Sequence, residues 1–130
     1  MRLIPTAVLC VALAAPAFAK VPLRDVADID NGLMAIAIAD EIRKECDGID
    51  ARLFTALGRI NDLRNKAKAL GYSNAEIDAY TKSKSEKDRM RAKAESYLAS
   101  KGVDADNRDQ LCAFGRAEIA KGTNIGSLLK

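Results

Sequence analysis

Asp40, Glu41, Glu45, Asp47 and Asp50 form the densest acidic stretch of the chain, with Arg43, Arg52 and Arg59 close by in sequence. Paired carboxylates can exchange protons with a substrate when burial separates their pKa values. A tight group of them can also hold a hard cation, but the spacing here matches no EF-hand loop. The simpler reading is a solvated helix end followed by a first-turn acid. In that reading Asp40 or Glu41 meets Arg43, Arg52 or Arg59 in a structural ion pair. Asp40, Glu41, Arg43, Arg52 and Arg59 are thus surface candidates, and no catalytic residue is assigned.

Lys82, Lys84, Lys87, Arg89, Arg91 and Lys93 form the most basic stretch. Such a strip suits anionic headgroups, wall polymers or phosphate backbones. Glu86, Asp88 and Glu95 are interleaved at salt-bridging distance, which weakens its field. An ordinary solvated face is the simpler reading.

The chain has no histidine and no tryptophan. That excludes serine–histidine and cysteine–histidine catalysis and histidine-ligated metal. Without CxxCH there is no covalent c-type haem. No metal and no cofactor is expected.

Arg2 precedes an apolar run from Leu3 to Ala15, and Ala17-Phe18-Ala19 follows. A positive start, a short apolar core and an A-x-A site describe a secretory leader. Thirteen apolar residues are too few to span a bilayer as a helix. Residues 1–19 are therefore read as a signal peptide cut after Ala19, leaving residues 20–130 as one domain outside the cytoplasm, in the periplasm. Cys10 lies in mid-run behind the bulky Leu9, which does not suit a lipoprotein site. Loss of Arg2 with the leader takes the formal charge from +3 to +2, so the mature chain is not an electrostatic specialist.

Removal of Cys10 leaves two cysteines, Cys46 and Cys112. An even count in an oxidising compartment predicts a disulfide between them. Redox-active pairs are normally close in sequence, often CxxC, so the predicted bridge is structural.

The elements that position these residues are all helical. Gly32–Cys46 is the predicted central helix. Met34, Ile38, Ile42 and Cys46 recur every four residues on one face. Leu33, Ala35, Ile36, Ala37 and Ala39 make its first turns apolar all round, which predicts burial on every side. Asn31 is the expected N-cap and Gly48 the stop. The alternation in MAIAIA also fits a strand, but its alanines favour helix. Lys20–Asp30 is a lead-in, helical or irregular, with Leu23, Val26 and Ile29 against the body.

A second helix opens at Ile49 with Asp50 as cap or first-turn acid. Leu53, Leu57, Ile60, Leu63, Ala67 and Leu70 form its inner stripe as far as Gly71. Ser73-Asn74-Ala75-Glu76 is a capping box for a short helix to Lys82. Ser83 or Ser85 caps a fourth helix to Lys101. Asp104 or Asp106 begins the last long one, which Gly122 ends. Thr123 caps a final turn in which Ile125, Leu128 and Leu129 dock. Tyr72, Tyr80 and Tyr97 sit at helical spacing beside apolar residues and read as core rather than pocket. Gly58 and Gly115 repeat one local pattern, Ala-Leu-Gly-Arg and Ala-Phe-Gly-Arg. A close crossing of the second and last helices at these glycines is the matching expectation. The fold class is all-α, four to five helices, with Cys46 joined to Cys112.

NGLMAIAIADEIRKEC, LGYSNAEIDAY, RMRAKAESYLASKGV and LCAFGRAEIAKGTNIGSLL together resemble a family of small exported bacterial proteins, domain of unknown function 5333. The resemblance covers nearly the whole mature chain, and both mature cysteines fit its pattern. It implies a helical domain outside the cytoplasm and carries no activity or catalytic residue.

The functional expectation is a non-enzymatic periplasmic protein that binds an envelope protein or polymer. An enzyme or enzyme subunit using carboxylates and arginines is the alternative from another class. Attachment to anionic membranes through residues 82–93 is a third. Nucleic acid is not an expected partner. A deep pocket with converging carboxylates and arginines would favour the enzyme; an apolar groove would favour binding.

Overall fold

The face that carries Met34, Ile38, Ile42 and Cys46 is buried along its whole length. It lies on α1 (Ala27–Glu45), the central helix of a computed structural model that describes residues 19–130. Residues 1–18, and with them most of the expected leader and Cys10, lie outside the described residues. α1 is followed by α2 (Leu53–Ala69), α3 (Asn74–Lys82), α4 (Lys84–Ser100) and α5 (Arg108–Lys121). Single 3-10 turns at Leu23–Asp25 and Gly126–Leu128 flank the set. The described residues contain no strand, only an isolated antiparallel bridge between Ala51 and Leu129. The expectation of an all-α fold of four to five helices holds, with five.

α1 starts five residues earlier than expected. Leu23 and Ile29 are buried in a satellite cluster with Ala67 and Ile77, with Val26 packed against it. That anchorage carries helical structure back to Ala27. Asn31 is therefore inside α1 rather than capping it. Val26 occupies the cap position and offers no side-chain acceptor. The Asn31 amide oxygen instead accepts from Lys93 Nζ at 2.8 Å.

α2 starts four residues later than expected because its lead-in is claimed by the C-terminal tail. Asp50 N–H donates to the Lys130 carbonyl and Lys130 N–H to that of Asp50, both at 2.8 Å, and Arg52 N–H donates to Leu128 O. Backbone paired in this way cannot continue a helix. Ile49 is buried, but in a loop. Asp50 thus pairs with the tail through its backbone rather than capping a helix.

Ser73 accepts from the Glu76 amide, as the capping box predicts. Ser83, not Ser85, caps α4. α5 is capped by Asn107, whose side chain accepts from Gln110 N–H at 3.1 Å. Asp104, one of the two expected caps, accepts from Asp106 N–H in the preceding turn instead. Gly122 ends α5 in the left-handed conformation, φ 62°.

α5 crosses α1 with the disulfide as its fastening. Cys46 and Cys112 are bonded, with Cα atoms 5.5 Å apart, and both are buried. A Cβ on Gly115 would stand 2.7 Å from Ile42 Cγ2 and 3.3 Å from Ile49 Cδ1. The close approach at Gly115 is therefore to α1 and its following loop, not to α2. Gly58 has no neighbour within 4 Å of such an atom. The expected crossing of α2 and α5 at the two glycines does not exist; the shared pattern is a coincidence of two different environments. The tail closes the core, with Ile125, Leu128 and Leu129 buried against α1 and α5.

Candidate functional site

Two features predicted as core are left open to solvent, and they face each other. On α1, Leu33, Ile36 and Ala37 are only partly buried. On α2, Leu63 and Ala67 are buried as expected, but Leu53 is 68%, Leu57 56% and Ile60 40% exposed. The inner stripe predicted for α2 is thus correct only at Leu63 and Ala67; Leu70, its last member, is exposed as well. Its N-terminal half overhangs α1 without a covering element, and Phe54 beside it is 91% exposed.

Between these surfaces lies a cleft of about 800 Å³. Leu33, Ile36 and Ala37 of α1 form its floor. Leu53, Ala56, Leu57 and Ile60 of α2 form one wall, and Met90 of α4 belongs to the other. α2 and α4 both pack on α1 but hardly on each other, which leaves the trough open between them. Its ends are closed. α3 packs on both walls at one end, where Tyr80 and Thr81 line the trough. At the other end stand Ile49, Ala51, Leu128 and Leu129.

The charged residues that line the trough are Asp40, Arg43, Asp50, Glu86, Lys87 and Lys130. Asp40 accepts from Arg43 Nη2 at 2.7 Å and from Lys44. Burial raises the Asp40 carboxyl, but the hydrogen bonds from Lys44 and Arg43 outweigh it and leave its pKa below the ordinary aspartate value. Of the predicted surface candidates, only Asp40 and Arg43 line the trough together. Glu41 is exposed on another side of α1. Arg52 and Arg59 turn to the tail: Arg52 Nε donates to Leu129 O at 2.9 Å, and Arg59 Nη2 to Ser127 Oγ at 3.4 Å. The five candidates do not converge on one point, and the two outlying arginines hold the chain terminus in place.

A second polar cluster lies beneath the α3 end. Asp30, 5% exposed, accepts from Arg89 Nη2 at 2.7 Å and from Lys93 Nζ at 2.5 Å. Arg89 also donates to Tyr80 Oη at 3.0 Å and to Glu86 Oε2 at 2.9 Å. Glu86 is further paired with Arg24. Burial raises the Asp30 carboxyl, and the bonds from Arg89 and Lys93 bring it below the ordinary value. The Arg89 guanidinium is held protonated above its usual range by the same Asp30 contact. Two members of the predicted basic strip are therefore half-buried ion-pair partners of α1 rather than free surface charge. A third, Lys84, pairs with Asp88 at 2.7 Å.

The Asp30 cluster was absent from the sequence reading, yet a signal for it exists. Asp30 is one turn before Met34 on the same four-residue line, a charge at a core position, where a buried partner is required. Starting the helix at Gly32 cut it off from that line. Tyr80 and Tyr97 do pack against core residues, as predicted. Tyr72 does so as well, and its hydroxyl donates to Val21 O.

Among the described residues, no helix is long and apolar enough to cross a membrane. Neither a curated protein nor a solved structure matches the chain. Residues 21–130, from the lead-in that anchors α1 to the tail that closes the trough, match the Family of unknown function (DUF5333), and the protein belongs to that family.

Proposed function

We propose that the protein is a non-enzymatic binding protein of the cell envelope and that the trough between α2 and α4 is its binding surface. The observation that carries this is the exposure of Leu53, Leu57 and Ile60 above a half-buried apolar floor. Apolar surface gains about 25 cal/mol for each Å² removed from water. Contiguous apolar surface left uncovered on a folded domain is a common mark of a binding site. The volume of about 800 Å³ falls in the range of pockets that enclose small ligands. Export is supported by the leader-like first nineteen residues and by the bonded pair of cysteines.

The rim gives less support to an enzyme. Asp40 is tied to two cations and its carboxyl is shifted away from neutrality, whereas a general base works best with its pKa near the working pH. Membrane attachment through residues 82–93 is weakened by the commitment of Arg89 and Lys93 to Asp30.

Titration with the apolar fluorophore N-phenyl-1-naphthylamine tests the reading. We expect saturable binding at one site. Ala37→Phe should plug the floor, and Leu57→Glu should place charge on the lip; each should weaken binding about tenfold while the protein stays folded by circular dichroism. Absence of saturable binding, or wild-type binding in both variants, would refute the proposal.

A further inference from the structure

Resting on that reading, we propose that the trough takes a single acyl chain of about twelve carbons, with an anionic head at Lys87. The first argument is shape. A trough closed at one end by α3 and at the other by the tail cannot pass a long partner helix along its axis. It can hold a slender, bounded ligand. The α1 residues that line the trough, floor and rim together, run from Leu33 to Arg43, a span of ten helical steps. At 1.5 Å per helical residue that is about 15 Å, roughly the extended length of a twelve-carbon chain.

The second argument is charge complementarity. Asp40 is neutralised by Arg43 and Lys44, and Glu86 by Arg24 and Arg89. Lys87 lines the trough one turn into α4, next to the α3 junction. It has no ionic partner among the described residues. The hydroxyls near it are engaged: Tyr80 accepts from Arg89, and Thr81 donates to Asp78 O. At the other end Asp50 and Lys130, of opposite charge, both line the trough. The α3 end thus presents an uncompensated cation, and the tail end presents Ile49, Leu128 and Leu129. A carboxylate at Lys87 with its methyl terminus toward the tail satisfies both ends.

The experiment is displacement of N-phenyl-1-naphthylamine from the full chain by saturated fatty acids of six to sixteen carbons, below their critical micelle concentrations. Affinity should rise about fourfold per methylene and level off near twelve carbons. Lys87→Gln should weaken dodecanoate about threefold to fivefold, as befits an exposed charge pair, and leave dodecan-1-ol unchanged. Fluorophore binding that no fatty acid displaces would overturn the ligand class while leaving the binding surface standing. Loss of fluorophore binding altogether would overturn both. Equal effects of Lys87→Gln on the acid and the alcohol would overturn the head-group assignment. A stable dimer in sedimentation that buries Leu57 and competes with the acid would give the trough to a second copy and overturn the proposal.

Discussion

Asp30 is a carboxylate on the core line of α1, and its burial is tolerated because Arg89 and Lys93 reach it from α4. Removing one partner from such a pair leaves buried charge behind, which is costlier than never having had the pair. Asp30→Asn should therefore lower unfolding free energy at neutral pH by about 2–3 kcal/mol, measured by urea denaturation. The pH dependence follows from the direction of its shift. A carboxylate held below its unfolded pKa adds stability above that value and loses it as pH falls through the folded one. Wild-type urea midpoints should fall below about pH 4, and the Asp30→Asn variant should show a shallower fall over the same window. Parallel acid profiles for the two proteins would show that this carboxylate contributes nothing to acid sensitivity.

At the scale of the element, α2 is the helix whose pattern and surroundings disagree. Its stripe from Leu53 to Leu70 has helical period, yet only Leu63 and Ala67 meet the core. Periodicity identifies an apolar face but does not supply the surface that covers it. The two helix glycines make the same point. Gly58 has open space around it, so Gly58→Ala should raise stability by up to about 1 kcal/mol, the helix propensity difference. Gly115 lies against Ile42 and Ile49, so Gly115→Leu overpacks the junction of α1 and α5. It should lower the melting temperature by about 10 °C or more. Thermal melts of the two variants should move in opposite directions, and a common direction would contradict this assignment of the helix faces.

For the whole molecule, the bond between Cys46 and Cys112 fastens the end of α1 to α5 across a separation of 66 residues. Closing a loop of that length restricts the unfolded chain by about 4 kcal/mol in the entropic account, and native bridges typically contribute 2–4 kcal/mol. Reduction should lower the melting temperature by roughly 10–15 °C without loss of helical circular dichroism at 20 °C. The core should stay assembled because Ile38, Ile42, Leu111 and Leu129, none of them part of the bond, are fully buried. Equal melting of oxidised and reduced protein would show that packing alone sets the stability.

The amino-acid sequence by itself determined the helical class, the buried line Met34–Ile38–Ile42–Cys46, the cap at Ser73, and the pairing of the two cysteines. Each of these depends on local period, local hydrogen bonding or a count, and such properties are carried by neighbouring residues. Only the tertiary structure decided what lies opposite each face. It joined Asp50 and Arg52 to the C-terminal tail, turned Arg89 and Lys93 inward to Asp30, and separated Gly58 from Gly115. It also left the α2 stripe above an open floor of Leu33, Ile36 and Ala37. An apolar side chain reads the same in sequence whether it meets a core, a ligand or water, because the difference lies in which distant segment folds over it.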